Sequence, residues 1–395
     1  MFNRNFILLL VSNIILGASM PMLIILGALA GSHLASDQAF ATLPPSIQLF
    51  AGMVFAAPVS LFMGRFGRRA GFLVGALLVI TGGGLGALSL VWSSFLLLCL
   101  AHFCLGGALM CVGYIRFAAA EAVADKWKST AISFTLASGL VAALVAPEIF
   151  EISKNYLETA VFAGAYLAVA ALGLIGILPV SGLRLKKPAL ASGDGTRKVD
   201  VLAVLKRKPV MFAIFAAAIA QAIMAVLMIP TPLAMLDSGF SETQAGEVIG
   251  WHVVAMFAPG FFTGWLINRF GPILIIFVGM ALLAFSAIIA IIDVHLLHFY
   301  GSLILLGIGW NFGFTGGTYL LQTLLSVNER AGLQGINDTL ISLTTTIAAF
   351  TSGALYAGLG WTAIAVLTLP VVGVAMVITL IIGIMLRRQT FEATG

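Results

Sequence analysis

The chain of 395 residues is far more apolar than a soluble domain, because 61% of its residues are hydrophobic and only 9% are charged. The mean hydropathy of +1.11 and the 43 glycines point the same way. This composition predicts an integral membrane protein. We attribute the net charge of +5 to membrane topology and expect no nucleic-acid partner.

Long apolar stretches recur along the whole chain, and each is long enough as a helix to cross a hydrocarbon core of about 30 Å. The first stretch could pass for a secretory signal, but it continues without a cleavage site and predicts a spanning helix instead. We predict twelve spans, at 6–30, 47–63, 70–92, 95–120, 130–150, 158–182, 210–236, 243–264, 272–292, 298–322, 335–358 and 361–386.

Basic residues indicate the orientation, because cytoplasmic loops of membrane proteins keep an excess of Lys and Arg. With the N-terminus inside, nearly all Lys and Arg fall on the cytoplasmic side, and only Lys154 falls outside. We therefore expect both termini in the cytoplasm. The short loops favour a bacterial inner membrane.

A polar segment at 184–209 separates two stretches that resemble each other at a period of roughly 200 residues. Asn13 precedes Pro21 in the first predicted helix, and Gln221 precedes Pro230 in the seventh. The loops "GRFGRR" and "NRFGP" form a second echo in the same order. We predict a six-helix bundle over 1–183, a cytoplasmic linker over 184–209 and a second six-helix bundle over 210–395.

These loops resemble the best-known motif of the major facilitator superfamily. In that family the sequence G-x-L-x-D-R-x-G-R-R forms the loop between helices two and three. The first copy departs from the motif where Gly64 replaces the usual Asp. The resemblance covers essentially the full chain. It implies an all-α fold of twelve transmembrane helices in two pseudo-symmetric six-helix bundles.

The resemblance also implies that the two loops help to close the cytoplasmic side, with Glu121 and Asp125 as acidic partners of the arginines. The same arginines equally obey the positive-inside rule without any gating role. The gating candidates are Arg65, Gly67, Arg68, Arg69, Glu121, Asp125, Gly264, Asn268, Arg269 and Gly271.

Aromatic and amide side chains at bilayer depth predict a site for a planar, amphipathic, largely uncharged solute. Any one Trp could equally be a packing residue, and Arg116 could pair with Glu121 and extend to the interface. The substrate-binding candidates are Asn13, Tyr114, Arg116, Gln221, Trp251, Trp310 and Asn311.

His102, His252 and Glu148 are the candidates for coupling transport to protons. Each histidine equally fits a neutral, hydrogen-bonded helix contact, and Glu148 could simply face the outer vestibule. The three cysteines and five histidines show no metal-ligand spacing, so we expect no metal and no cofactor.

The sequence therefore predicts a secondary transporter that moves a small organic solute by alternating access. We expect it to act as a monomer in a lipid bilayer. No nucleotide-binding loop or hydrolase motif is present, which argues against an enzyme. Two cargo hypotheses remain open. One is import of a planar vitamin such as riboflavin, and the other is proton-coupled efflux of drugs or metabolites, as eroded antiporter motifs suggest.

Overall fold

The computed structural model describes residues 2–124, 127–185 and 201–394, and within these ranges every regular element is helical. A helix bonds all its backbone groups internally, which lipid requires. The α-helices are α1 (Arg4–Gly17), α2 (Ser19–Leu34), α3 (Leu43–Phe66), α4 (Arg68–Val91), α5 (Phe95–Gly113), α6 (Ile115–Glu121), α7 (Lys128–Ser153), α8 (Ala163–Ser181), α9 (Val201–Leu205), α10 (Lys208–Met228), α11 (Thr231–Asp237), α12 (Glu242–Phe257), α13 (Gly260–Phe270), α14 (Pro272–Ile292), α15 (Leu296–Leu324) and α16 (Val327–Thr394).

Nine helices of the described residues are long and apolar enough to cross a membrane, and the bent pair α12 and α13 makes ten. The stretch Ile336–Leu386 within α16 contains two helices, because Gly360 interrupts it with a φ of 78°. The helix α7, which is 26 residues long, is a further segment long enough to span a membrane. These segments are consistent with twelve spans, and the number twelve stays a prediction.

Four spans that the sequence predicted as continuous are broken in the structure. The breaks begin at Ala18, Tyr114, Ile229 and Ala258, each of which is the C-cap of the helix before it. Proline accounts for two of them, because Pro230 and Pro259 are the N-caps of α11 and α13. The axis bends by 41° between α12 and α13.

The two ends of the bundle differ in charge, and we call them the basic end and the far end. The basic end carries the α3–α4 and α13–α14 loops with their arginines. The far end carries the α2–α3, α7–α8 and α11–α12 loops. The boundaries 184 and 209 of the predicted linker stay a prediction, and residues 186–200 lie outside the described ranges.

The loops that echo each other in sequence also share one backbone conformation. Gly67 has φ 90° and ψ 159°, and Gly271 has φ 83° and ψ 152°. This region of φ and ψ is open essentially to glycine alone. Each glycine ends one spanning helix and starts the next, so the repeated "RFG" is a repeated tight corner at the basic end.

Each half also ties its first helix to a loop at the basic end. Asn3 Nδ2 donates to the Ala122 carbonyl at 2.6 Å, ahead of α7. In the second half Arg207 pairs with Glu329 at the start of α16. The Ser326 backbone N–H, together with Arg207, holds the pKa of the Glu329 carboxyl below its usual value. Similar positions in the two halves therefore carry different side chains with the same tethering role.

We expect Gly271→Ala to destabilise the protein by about 1–3 kcal/mol, because a Cβ is strained at this φ whatever the free space. Gly264→Ala is the matched control, since Gly264 has ordinary helical φ and nothing within 4 Å of an added Cβ. Thermal unfolding of the two purified variants in detergent would compare them. Equal unfolding temperatures would contradict the assigned role of Gly271.

Candidate functional site

Four side chains from α10, α12 and α15 meet at mid-span in the second half, and we call them the aromatic–amide cluster. Trp310 Nε1 donates to Gln221 Oε1 at 2.6 Å. The Trp310 ring stacks on Phe314, with centroids 5.2 Å apart and planes at 15°. Phe257 meets Trp310 edge-on at 6.1 Å and 77°. The sequence predicted Gln221 and Trp310 as candidates, and the structure brings them into contact.

All four side chains of the cluster are partly buried, so they still present surface for a ligand. Phe257 is the last residue of α12, directly before the break at which the axis bends by 41° into α13. Flat aromatic faces with one oriented amide suit a planar ring system that carries a few polar atoms.

Asn311 lies on another side of α15 from Trp310 and is only 5% exposed. Its Nδ2 donates to the Met256 carbonyl at 2.7 Å, and its Oδ1 accepts from Thr263 Oγ1 at 2.7 Å. The amide therefore supports the break between α12 and α13. Because both of its polar atoms are already bonded to the protein, this placement gives no support to a ligand contact at Asn311.

His102 is completely buried between three helices of the first half. Its Nδ1 lies 2.8 Å from Gln48 Oε1, and its Nε2 lies 2.7 Å from the Tyr166 hydroxyl. With both ring nitrogens occupied and no exposed surface, the imidazole fits a helix contact. This placement gives no support to the coupling role expected for His102.

His252 is likewise completely buried, and its Nδ1 lies 2.7 Å from the Leu303 carbonyl on α15. Its Nε2 is buried without a hydrogen-bond partner. An imidazole that is buried in this way fits a neutral side chain that joins α12 to α15, so the coupling role of His252 also lacks support.

Glu148 and Trp251 lie on exposed faces away from the aromatic–amide cluster. Glu148 shares its face of α7 with Leu144 and Ile152, which are 56% and 79% exposed, as expected of a lipid-facing stripe. Trp251 is 52% exposed and lies about 120° around α12 from Phe257 at 100° per residue. Neither placement supports the coupling role of Glu148 or the substrate-binding role of Trp251.

Asn13 is partly buried on α1, where it joins α7 within the first half. Its Nδ2 donates to the Thr135 carbonyl at 3.0 Å and to Ser138 Oγ at 2.9 Å. Tyr114 lies at the break between α5 and α6, with the Arg68 guanidinium 5.4 Å from its ring centroid. Asn13 therefore remains a candidate ligand contact, whereas Tyr114 belongs with the loop at the basic end.

Arg116 is exposed, and its guanidinium lies 4.8 Å from the Phe117 ring centroid. Glu121, the acidic partner that the sequence suggested, is bound by Arg68 instead. Arg116 interacts electrostatically with Asp338 on α16, across the boundary between the halves. The structure gives no support to the pairing of Arg116 with Glu121, and the substrate-binding role of Arg116 stays a prediction.

Arg68 forms the contact at the basic end that the sequence led us to expect. Its Nη2 lies 2.8 Å from Glu121 Oε1, and its Nε lies 3.3 Å from Glu121 Oε2. Arg65 packs over the neighbouring Phe66 ring at 5.3 Å, and Arg69 is exposed. Asp125 lies outside the described residues. The gating role of the whole loop stays a prediction.

The second copy of the loop makes a weaker contact of the same kind. The Tyr319 hydroxyl donates to Asn268 Oδ1 at 3.1 Å, and Arg269 is exposed. Gly264 has nothing within 4 Å of an added Cβ, so no close helix contact requires a glycine there.

At the far end, a buried lysine joins the two halves through a group that we call the Lys154 cluster. Lys154 Nζ lies 2.9 Å from Glu151 Oε2, 3.5 Å from Glu242 Oε2 and 3.2 Å from Thr243 Oγ1. Thr243 also donates to Glu151. Lys154 is only 8% exposed, whereas the Glu151 and Glu242 side chains are 40% and 27% exposed, so these charge-assisted contacts are shielded from water on the lysine side alone.

Close backbone packing accompanies the Lys154 cluster at the same end. A Cβ on Gly250 of α12 would lie 2.9 Å from Pro147 Cγ of α7. A Cβ on Gly246 would lie 3.5 Å from Ile25 Cδ1 of α2. The two halves are therefore in contact at the far end.

The sequence did not single out several residues that the structure places at these sites. Nothing in the sequence distinguishes Phe257 and Phe314 from the other phenylalanines of the chain, which has 28 in all. Lys154 was noted as the one basic residue on the outside, and this isolation was the available signal for its role. Gln48 and Tyr166 lie 54 and 64 residues from His102, so their contact with it could not be read from spacing.

We expect Lys154→Met to open the far end more often, because two carboxylates lose their shared cation. In a variant whose three cysteines are replaced, Ile25→Cys reports this opening, since Ile25 is completely buried between the halves. Labelling by a membrane-impermeant maleimide should be about tenfold faster in Lys154→Met. Lys206→Met, at an exposed lysine of the basic end, is the control. Equal rates would contradict a locking role.

Comparison with known proteins agrees with this architecture. A family model described as Major Facilitator Superfamily matches residues 210–392. The nucleoside transporter NupG superposes with a TM-score of 0.68 at 15% identity, covering 98% of this chain and 99% of that one. A POT family transporter in complex with 5-aminolevulinic acid gives a TM-score of 0.71 at 15% identity, covering 96% of both chains. These likenesses show the fold.

Sequence relatives extend over nearly the full length. The riboflavin transporter RfnT of Brucella anthropi is 37% identical over 377 residues, which are 95% of this chain and 94% of that protein. The MFS-type transporter YddS of Bacillus subtilis is 28% identical and covers 93% of this chain and 88% of its own length. A relative this similar over this length, with the matching helical fold, shows that the chain belongs to the major facilitator superfamily of secondary transporters.

Proposed function

We propose that this chain imports riboflavin by alternating access. The observation that carries the proposal is the 37% identity to the riboflavin transporter RfnT over 95% of the chain. Riboflavin joins a flat, uncharged three-ring system to a polyol chain, so it needs aromatic surface and hydrogen-bonding groups more than it needs a charge partner.

The aromatic–amide cluster supports this substrate. Trp310 and Phe314 are nearly parallel, and Phe257 closes one edge. Gln221 supplies a hydrogen-bonding group beside the rings. Stacking on this surface holds the flavin ring at mid-span, where alternating-access transporters bind their cargo between two moving halves.

Efflux of drugs or metabolites is not favoured. Proton-coupled efflux needs groups that carry protons, and His102 and His252 are completely buried in helix contacts. Glu148 lies on an exposed apolar face of α7.

We further infer that the protein lies in a bacterial inner membrane as a monomer with both termini in the cytoplasm. The arginines of the α3–α4 and α13–α14 loops support this orientation, because they place the basic end inside. The Lys154 cluster then faces the periplasm. The Arg68–Glu121 pair lies at the cytoplasmic surface, where we propose that it helps to close that side.

The proposal predicts saturable uptake of radiolabelled riboflavin into cells that express the protein. We expect Trp310→Ala to raise the KM for riboflavin by about tenfold, because the flavin ring loses its main stacking partner. Trp265→Ala is the matched control, since Trp265 is 63% exposed and its ring meets the Phe270 ring edge-on. The absence of saturable uptake in cells with confirmed membrane expression would overturn the proposed function.

A further inference from the structure

Two contacts fix how α10 and α16 lie beside each other. At the basic end Arg207, the N-cap of α10, pairs with Glu329 in the first turn of α16. Further along, Ile341 of α16 packs with Ala217 and Ala218 of α10. Ala217 follows Arg207 by 10 residues, and Ile341 follows Glu329 by 12. The two helices therefore run parallel from the basic end and in nearly the same register.

The second of these contacts borders the aromatic–amide cluster. Phe314, which stacks on Trp310, packs against the group formed by Ala217, Ala218 and Ile341. Gln221 follows Ala217 by one turn on the same face of α10, because residues three and four apart are neighbours on a helix. The contact between α10, α15 and α16 therefore bounds the cluster on the side that faces the basic end.

Asp338 lies next to this boundary, about 4–5 Å along α16 from Ile341 toward the basic end and on the same face. The exposed apolar side chains Leu340, Leu343 and Ile347 lie about 140–180° around the helix from it, as expected of a lipid-facing stripe. Asp338 is itself exposed, and a carboxylate at bilayer depth faces the interior of the bundle rather than lipid. Asp338 therefore borders the space from which a ligand reaches the cluster.

Two polar groups act on the Asp338 carboxylate, one from each half. Asn337, which is only 4% exposed, donates from Nδ2 to Asp338 Oδ1 at 3.0 Å and so orients the carboxylate. Arg116 of α6 is exposed and interacts electrostatically with Asp338 across the boundary between the halves. The guanidinium offers only donors and the carboxylate only acceptors, and together they carry no net charge.

We propose that Arg116 and Asp338 form a second subsite, which binds the hydroxyl groups of a polyol chain attached to the ring that stacks on Trp310. A hydroxyl group both donates and accepts, so neighbouring hydroxyls donate to the Asp338 carboxylate and accept from the Arg116 guanidinium. The inference rests on the proposed function, because riboflavin carries such a chain on its ring, and it names the residues that select the chain.

The same pair selects against a phosphorylated chain. A phosphate at the end of the chain brings negative charge beside the Asp338 carboxylate, and Arg116 is already shared with that carboxylate. The subsite therefore favours riboflavin over its phosphate ester FMN. It also favours riboflavin over lumiflavin, which has a methyl group in place of the whole chain.

The subsite also joins the two halves, because Arg116 belongs to the first and Asp338 to the second. A ring that stacks on Trp310 and Phe314 contacts only the second half at the aromatic–amide cluster. A chain held between the guanidinium and the carboxylate contacts both halves, so it stabilises the state in which they lie closest around the site. Recognition of the chain thus supports the closure that alternating access needs.

Binding to the full-length protein in nanodiscs tests the inference, with quenching of flavin fluorescence as the signal. Riboflavin, lumiflavin and FMN share the same fluorescent ring and differ only in the chain. We expect lumiflavin and FMN each to bind the unsubstituted protein about tenfold more weakly than riboflavin. This comparison needs no substitution, so it holds even where a variant fails to fold.

Two variants separate the partners. Asp338→Asn should bind riboflavin about tenfold more weakly, leave lumiflavin unchanged and bind FMN about tenfold more tightly, because Arg116 then has only the phosphate as a charged partner. Arg116→Gln should also weaken riboflavin about tenfold, but without any gain for FMN. Glu158→Gln is the matched control, since Glu158 is an exposed acid of the α7–α8 loop at the far end, and it should leave all three flavins unchanged.

Three results would overturn the inference while leaving riboflavin import intact. The first is equal binding of riboflavin and lumiflavin to the unsubstituted protein. The second is an equal loss of both ligands in folded Asp338→Asn, as an ion pair that only closes the basic end would give. The third is no gain in FMN affinity in Asp338→Asn. Absence of both riboflavin binding and riboflavin uptake would instead overturn the proposed function, and the polyol subsite with it.

Discussion

The bilayer requires every backbone N–H and carbonyl within the spans to be bonded, and this constraint shapes the helix breaks of the protein. Hydroxyl side chains next to three breaks bond back to the preceding turn. Ser19 donates to the Leu16 carbonyl at 2.6 Å, and Thr231 donates to the Leu227 carbonyl at 2.7 Å. At the sharpest bend, Thr263 donates to the Pro259 carbonyl at 2.7 Å. The breaks are therefore stable features of the fold rather than frayed helix ends.

The break between α12 and α13 also positions the aromatic–amide cluster. Asn311 donates to the Met256 carbonyl, next to the last residue of α12, and so holds that end of the helix against α15. Phe257 follows directly and meets Trp310. The neighbours Trp310 and Asn311 thus divide two tasks, since one faces the proposed ligand and the other supports the backbone. The axis then bends by 41° directly after Phe257.

Sequence predicted the class of fold because its signals are local. Apolar length, the placement of basic residues and a corner that only glycine accepts all appear within a few residues of one another. The twin corners at Gly67 and Gly271 share one conformation in the structure, as their sequences suggested. The repeated motif could be recognised from sequence because it reflects a local backbone conformation that favours glycine.

The details of the site depend on the rotation of each helix, which sequence does not reveal in a chain that is 61% hydrophobic. Trp310 and Asn311 were indistinguishable as candidates, although about 100° of rotation separates them. From its sequence position His102 resembles a proton carrier. In the structure, Gln48 and Tyr166 from two other helices occupy both of its ring nitrogens. Amphipathic periodicity normally marks the inward face of a helix, but here lipid and protein interior are both apolar.

The Lys154 cluster carries one positive and two negative charges, so the ionic strength of the medium at the far end acts on it. When the halves separate at the far end, Lys154 keeps Glu151 on its own helix but loses Glu242 and Thr243 of α12, and dissolved ions then screen the separated charges within about 8–10 Å. Ionic strength therefore favours the separated form over the paired form. A medium of higher ionic strength at the far end would hold this carrier open there for a larger share of each cycle than a dilute medium. The stacking surface around Trp310 carries no charge of its own and would bind equally well in both.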